Sequence, residues 1–94
     1  MDETEVIAGI RVRYWAAARS AAGVHEDLLD AETPLSLAEV RRRAVELHSD
    51  SRLAEVLSAC SALVGDRPVG KADPADVEVA PGETVEFLPP FAGG

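Results

Sequence analysis

The chain has 94 residues, of which 47% are hydrophobic and only 4% aromatic, and its 17 acidic against 9 basic side chains give a formal net charge of −8. This balance argues against nucleic acids and anionic membranes as partners, because both require a positively charged protein face. The length fits one domain, residues 1–94, with a core of aliphatic side chains. Because Cys60 is the one cysteine, no internal disulfide is possible, and no Cys/His spacing suits zinc.

The apolar segments of the chain are all short. No run approaches the roughly 20 residues of a membrane span. The first residues, Met1 to Glu5, are acidic, whereas a signal peptide begins with basic residues. We therefore expect a cytoplasmic protein that does not cross a membrane.

The first predicted element is a half-buried strand that begins at Val6 and alternates most clearly from Ile10. Its predicted inward residues are Ile10, Val12 and Tyr14, and its outward residues are Arg11, Arg13 and, at the end, Trp15. An alanine-rich helical segment follows over residues 16–22 and ends at Gly23, a typical glycine C-cap. Residues 24–30 are predicted to form a second strand paired with the first.

The main predicted helix begins at Ser36 and runs to about His48. Ser36-Leu37-Ala38-Glu39 is a capping box, in which the serine and glutamate side chains each satisfy a backbone N–H of the other residue. The predicted buried stripe of this helix consists of Leu37, Val40, Ala44 and Leu47. The arginines at 41–43 lie off that stripe, and Glu39 is placed to pair with Arg43. We interpret the arginine run as a solvated helix face rather than a phosphate site.

The second half of the chain is predicted to hold a short helical segment near residues 53–57 and three strands. One strand covers residues 60–64, a turn at 65–68 leads to a return strand opened by Val69, and the last strand follows a Pro81-Gly82 type II turn. This order indicates an α+β roll, in which the main helix packs on one face of a mixed sheet of four or five strands. The first and last strands could be parallel neighbours, although periodicity does not establish the pairing.

The C-terminal end is the most unusual stretch of the sequence. Val85 and Phe87 alternate with polar residues as in a strand, and Pro89 and Pro90 then prevent both helix and sheet ladder. No charged side chain follows Glu86, and the chain ends in two glycines. Six extended residues after Leu88 reach roughly 20 Å. We therefore predict a flexible tail, residues 89–94, that carries the terminal carboxylate into the active site of a partner.

The rest of the sequence offers no catalytic constellation. His25 and His48 lie in different predicted elements, Cys60 opens an apolar run, and Lys71 lies in a polar loop. The chain alone is therefore not expected to be catalytic. The α-carboxylate of Gly94 is the group with chemical promise, because ATP can activate it as an acyl-adenylate and a sulfur nucleophile can then convert it to a thiocarboxylate.

The tail, Phe87 to Gly94, closely resembles the C-terminus of the MoaD/ThiS family of sulfur carriers. Pro81-Gly82-Glu83-Thr84-Val85 is similar to the acidic-Gly-acidic turn of that family, with proline in place of the first acid, and the stretch from Arg13 to Gly23 resembles its first strand and following turn. The resemblance spans residues 9–94, although the residues around Lys71 match no family position. It implies the ubiquitin-like β-grasp fold.

The resemblance also implies a function and a set of site residues. Gly94 would be adenylated by an E1-like enzyme that uses ATP, and a sulfur-donating enzyme would supply the thiocarboxylate sulfur; the chain itself would bind no cofactor or metal. Gly93 would allow passage into the partners. The residues that would line the partner's channel are Pro89, Pro90, Phe91 and Ala92, and those that would form an apolar docking surface are Trp15, Pro68 and Leu88.

Within the family, the tail and the length most resemble the small subunit of molybdopterin synthase. This implies a large-subunit partner, a heterotetrameric complex and a role in molybdenum cofactor biosynthesis. Two alternatives remain open. One is a sulfur carrier for cysteine or thiamine biosynthesis, and the other is a ubiquitin-like modifier whose Gly94 forms an isopeptide bond with lysine.

Overall fold

The computed structural model describes residues 9–90. The predicted start of the first strand, residues 6–8, and the tail residues 91–94 therefore lie outside the described residues. The secondary structure between them follows the predicted order of strand, helix and strand elements, with additions described below.

A five-stranded mixed sheet forms the centre of the fold. Its strands are β1 Gly9–Tyr14, β2 Glu26–Asp30, β4 Ser61–Val64, β5 Arg67–Pro68 and β7 Thr84–Leu88. Their order across the sheet is β2-β1-β7-β4-β5. A separate two-stranded sheet pairs β3 Leu35–Ser36 with β6 Glu78–Val79. The helices are α1 Ala17–Ala22, α2 Leu37–Leu47 and α3 Leu53–Leu57, with one 3-10 turn at Pro74–Asp76.

The first and last strands are parallel neighbours at the centre of the sheet. Val12 pairs with Val85 and Tyr14 pairs with Phe87, so the buried residues of the two strands point to the same face. Helices α2 and α3 cover that face with their own buried side chains, Leu37, Val40, Ala44, Leu53 and Leu57. The prediction of a roll with its main helix packed on one sheet face is confirmed.

Helix α2 departs from its prediction at both ends. Ser36 Oγ accepts from Glu39 N at 3.0 Å, but the Glu39 carboxylate binds the guanidinium groups of Arg42 and Arg43 and does not return to the Ser36 N–H. The predicted burial of Leu47 is wrong, because this side chain is 57% exposed. Leu47 is the last helical residue and lies beside the free edge of β2, where no described strand covers it.

The β4–β5 hairpin is tighter than predicted. Its turn consists of Gly65 and Asp66, and Arg67 and Pro68 already belong to the return strand, opposite Val64 and Leu63. The β3–β6 pair was not predicted, because two-residue strands show no periodicity. The Pro81-Gly82 turn is confirmed by Gly82 at φ 93° and by the bond from Glu83 N to Ala80 O at 3.0 Å.

A polar cluster beneath the sheet ties α2 to β2. The Tyr14 hydroxyl donates to Asp27 Oδ2 at 2.8 Å, and His48 Nε2 lies 2.6 Å from the same oxygen. His48 is the C-cap residue of α2, and its ring meets the Tyr14 ring edge-on at a centroid distance of 6.0 Å. Burial, with the adjacent Asp27 carboxylate, raises the pKa of Tyr14 above its usual range.

Replacing Asp27 by alanine is expected to destabilise the fold by about 1–3 kcal/mol, because the buried Tyr14 hydroxyl would lose its acceptor. Urea unfolding measures the loss. The matched control is Asp30→Ala, an exposed acid on the same strand, whose replacement should change stability by no more than about 0.5 kcal/mol. Equal effects of the two variants would show that the cluster has no special role.

The backbone at Ala16 leads to a second prediction. Ala16 adopts φ 52° and ψ −123°, the one positive φ at a non-glycine residue between 9 and 90. Such a conformation costs an L-residue about 1–3 kcal/mol. Glycine avoids most of this cost, and its greater conformational freedom in the unfolded chain lowers the stability by only about 0.5–1 kcal/mol. Ala16→Gly should therefore raise the urea midpoint, whereas Ala17→Gly in the neighbouring helix should lower it. A lower urea midpoint for Ala16→Gly would show that the backbone of Ala16 is not strained.

Candidate functional site

The parallel pairing of β1 and β7 brings the carboxyl ends of both strands to the same edge of the sheet. Trp15 follows β1 directly, and its backbone N–H donates to Phe87 O at 3.1 Å. Trp15 is therefore the neighbour of Leu88, the last residue of β7. The chain leaves the sheet at Leu88 and continues into Pro89 and Pro90, which are exposed.

A partly apolar surface extends from this point across the face of the sheet opposite α2. Ser61 pairs with Leu88, and Leu63 lies between Glu86 and Pro68. The alternation of the strands puts Leu63 on the same face as Leu88 and Pro68. We call Trp15, Leu63, Pro68 and Leu88 the docking face. Pro68 is exposed, and the other three side chains are partly exposed.

Leu63 was not identified from the sequence. It is followed by Val64, which is buried on the opposite face. Because both residues are large and aliphatic, alternation does not reveal which of them points into the core. The proline at position 68 opposite Leu63 offers a signal only once the register of the hairpin is known.

Two guanidinium groups cover the Trp15 ring. Arg13 Cζ lies 5.0 Å and Arg19 Cζ 5.8 Å from the ring centroid, within cation–π range. Trp15 Nε1 is buried and has no hydrogen-bond partner within residues 9–90. Arg19 Nη1 also contacts His25 Nδ1 at 3.2 Å. The docking face therefore ends in an aromatic ring that lies beneath two guanidinium groups, of which that of Arg13 is also 3.7 Å from Glu26 and 3.6 Å from Glu86.

A groove of about 420 Å³ lies beside Trp15 where the tail begins. One wall consists of Trp15 and the start of α1, and the other consists of α3 residues such as Val56. Pro89 and Pro90 line it as well, and the Arg52–Glu55 ion pair, with an N–O distance of 3.0 Å, lies at its rim. A partner that receives the tail at Pro90 would therefore meet this groove and the docking face together.

The remaining predicted tail residues, Phe91, Ala92, Gly93 and Gly94, lie outside the described residues. The reacting carboxylate of Gly94 and the passage role of Gly93 therefore stay predictions. Of the other predicted site residues, Trp15, Leu88, Pro89 and Pro90 lie together where the tail leaves the sheet. Pro68 lies two strands away on the same sheet face, opposite Leu63.

The other candidate groups show no catalytic arrangement within residues 9–90. Burial raises the pKa of the Cys60 thiol, which disfavours the reactive thiolate. Lys71 and His25 are exposed, and no three or more His, Cys, Asp or Glu side chains of the described residues are grouped to hold a metal ion. None of the described helices has the length and apolar character needed to span a membrane.

Comparison with known proteins gives one family and several similar folds. The sequence model of the ThiS family matches residues 12–94. No curated protein matches the chain.

Three solved structures illustrate the similarity. A candidate molybdopterin converting factor subunit 1 from Pyrococcus furiosus is 20% identical, with a TM-score of 0.67 over 89% of this chain and 99% of that one. Small archaeal modifier protein 1 from Methanosarcina acetivorans is 18% identical, with a TM-score of 0.71 over 96% and 100%. The complex of subunits 1 and 2 of molybdopterin-converting factor from Helicobacter pylori contains a chain that is 22% identical, with a TM-score of 0.61 over 92% and 99%. The predicted ubiquitin-like β-grasp fold is confirmed.

Proposed function

The chain belongs to the ThiS family, and from this premise we propose that it is a sulfur carrier that acts through its C-terminus. In this proposal an E1-like enzyme uses ATP to adenylate the Gly94 carboxylate, and a sulfur-donating enzyme then supplies the sulfur of a thiocarboxylate. Adenylation turns a poor acyl donor into a good one, because AMP is a far better leaving group than hydroxide. The sulfur nucleophile attacks the activated carbonyl and AMP departs.

The observation that carries the proposal is the position of the docking face at the exit of the tail. The backbone bond from Trp15 N to Phe87 O fixes the docking face relative to Leu88, the last residue held by the sheet. From there the uncharged tail reaches roughly 20 Å when extended. A partner that binds the docking face therefore receives the terminal carboxylate at a distance set by the length of the chain.

We further propose that the acceptor is a molybdopterin precursor and that the chain acts as the small subunit of a molybdopterin synthase. Its partner would be the large subunit, in a heterotetramer. The Helicobacter pylori structure, whose name describes a complex of the two subunits, offers the precedent for such a partner. The exposed Pro68 and the partly exposed Leu63 and Leu88 are apolar groups that a larger subunit could bury.

A ubiquitin-like modifier is the second candidate. Small archaeal modifier protein 1 of Methanosarcina acetivorans has the same fold with a TM-score of 0.71, so the fold suits either use. Both functions begin with adenylation of Gly94, and only the next acceptor differs. A thiocarboxylate product favours the carrier, for molybdopterin or for cysteine or thiamine biosynthesis, whereas an isopeptide bond to lysine favours the modifier.

Replacing Trp15 by alanine should weaken the complex with the large subunit by about 2 kcal/mol, roughly 30-fold in Kd, because the aromatic ring is the largest side chain of the docking face. Calorimetric titration measures this loss. The control is Leu47→Ala, which removes an exposed leucine from the far end of α2 and should leave the affinity unchanged. If Trp15→Ala unfolds the domain while the affinity per folded molecule stays the same, Trp15 is a core residue instead.

Changing the length of the tail by one residue should abolish thiocarboxylate formation while leaving fold and docking intact. One added residue moves the reacting carbon by about 3.3 Å, and a misplacement of 1 Å can cost about a hundredfold in rate. Deleting Gly94 should also abolish thiocarboxylate formation, because the new terminal carboxylate would fall short of the adenylating site. Gly93→Ala should be milder, since it adds only a Cβ to a narrow channel.

The measurement is the intact mass after incubation with the E1-like enzyme, ATP and a sulfur source. The wild-type chain should gain the mass difference between one sulfur and one oxygen, and the extended and shortened chains should not. If the extended and shortened chains also gain this mass and donate sulfur, the length of the tail is not critical for the reaction. If the wild-type chain forms only lysine conjugates, the modifier is the correct function.

A further inference from the structure

A cavity of about 260 Å³ lies between the start of α2 and the β4–β5 hairpin. Its walls come from α2, from the hairpin and from the loop that follows β5. They include Leu37 and Arg41 on α2, Ala62 and Val69 on the hairpin, and Ala72 and Pro74 on the loop. The cavity is distinct from the groove beside Trp15, with which it has only Cys60 in common.

The lining of this cavity is largely apolar. Leu37 is a core residue that is only 3% exposed. Val69 N donates to Ala62 O at 3.0 Å, so these two residues lie opposite each other across the hairpin. Ala62 is two residues before the buried Val64 and therefore lies on the inner face of the sheet. Within residues 9–90, Arg41 is the one charged residue that lines the cavity.

Arg41 differs from the two arginines that follow it. Residues three and four positions apart are neighbours on a helix surface. Arg42 has Glu39 at 2.7 Å and Glu46 at 3.5 Å, and Arg43 has Glu39 at 2.8 Å. The corresponding neighbours of Arg41 are all uncharged, namely Leu37, Ala38, Ala44 and Val45. None of the ion pairs within residues 9–90 includes Arg41.

The charges next to the cavity leave Arg41 uncompensated. Lys71 precedes the lining residue Ala72, is exposed and takes part in no ion pair within residues 9–90. Asp73 follows Ala72, but its carboxylate caps the 3-10 turn by accepting from the backbone N–H of residue 75 at 2.9 Å. Asp76 and Glu78 line a separate pocket. The cavity is therefore a locally cationic site on an acidic chain.

We propose that this cavity binds a small organic monocarboxylate. The ligand carboxylate accepts hydrogen bonds from the Arg41 guanidinium, whose planar N–H groups suit a two-oxygen acceptor. Its apolar part lies against Leu37, Ala62 and Val69. The cavity has room for about nine groups the size of a water molecule, which corresponds to a carboxylate with about six further carbon atoms.

The lining argues against a phosphate dianion. Burying a charge next to apolar walls is costly unless the charge is paired. With Arg41 as the single lining cation, one of the two negative charges would have no partner in the cavity. A monocarboxylate needs only one guanidinium, so its charge matches the site.

A small molecule also suits the cavity better than a segment of another protein. Stable protein interfaces bury about 800 Å² on each partner, whereas ligand sites are concave and mostly apolar, with few polar groups that fix the orientation. The cavity has walls on three sides and one guanidinium. It lies under the inner face of the hairpin, whereas Leu63 of the docking face lies on the outer face. Pro68, on the edge strand, borders both.

Three probes test the proposal by titration of the full-length, 15N-labelled chain at neutral pH. Benzoate should shift the amide signals of Arg41, Ala62 and Val69 with a Kd on the order of 1 mM, as expected for so small a ligand. Benzamide has nearly the same shape but no charge, and it should bind at least about 10-fold more weakly, because it loses the charge-assisted bonds. Acetate keeps the charge but lacks the apolar part, and it should also bind more weakly than benzoate.

Two variants of neighbouring arginines separate the cavity from the general charge of the helix. Arg41→Gln should weaken benzoate binding at least about 10-fold and leave benzamide binding unchanged. The matched control is Arg42→Gln, which removes the same charge from a side chain that does not line the cavity, and it should leave benzoate binding unchanged. Should Arg41→Gln fail to fold, Ala72→Leu, at an exposed loop position of the cavity wall, should still weaken benzoate binding several-fold by reducing the space.

Any one of four results would overturn the proposal. Benzoate could cause no saturable shift at millimolar concentration, benzamide or acetate could bind as tightly as benzoate, Arg42→Gln could weaken binding as much as Arg41→Gln, or the shifts could map to the groove beside Trp15. None of these measurements involves Gly94. The proposal and thiocarboxylate formation can therefore fail independently.

Discussion

The parallel pairing of β1 and β7 is the contact on which the rest of the structure depends. It joins the two ends of the described chain through Val12 and Val85 and through Tyr14 and Phe87, side chains that are almost wholly buried. Pairing strands this far apart in sequence carries a loop-closure cost, which the shared apolar face offsets. On the outer face Arg13 lies 3.6 Å from Glu86, a weak surface ion pair. Core packing between β1 and β7 therefore fixes the point where the tail leaves the sheet, and the surface ion pair contributes little to it.

The same pairing explains which parts of the site were predictable from the sequence. Trp15 and Leu88 could be assigned to outward positions because each ends a clearly alternating strand, and Ser36 could be identified as a helix cap from its spacing to Glu39. Leu63 and Leu47 could not be assigned. Leu63 is next to another aliphatic residue, and the burial of Leu47 depends on where the sheet ends, a property of tertiary structure. Glu39 bonds to Arg42 and Arg43 instead of the Ser36 N–H because two guanidinium groups lie within one helical turn.

Trp15 shows how an apolar docking residue can be kept in water. A bare indole at a strand end promotes association, yet here the guanidinium groups of Arg13 and Arg19 lie over the ring and hide part of its surface. Cation–π contacts at such partly exposed sites are worth only about 0.5–1 kcal/mol each. A partner can therefore displace them at small cost. The covering arginines reduce non-specific contact without blocking the specific one.

The two edges of the sheet are protected in different ways. Strand β5 is two residues long and ends in Pro68, which lacks an N–H, so that edge has little capacity to extend a ladder. It can still offer apolar surface, as the docking face does. Strand β2 is longer and has no proline, but its last residue is held by a neighbouring element, because Arg43 Nη1 of α2 donates to Asp30 O at 3.2 Å. The Glu26 carboxylate at the other end of the strand is paired with Arg11 and Arg13 of β1. The β5 edge is therefore limited by its length and its proline, whereas side-chain contacts from α2 and β1 limit the β2 edge.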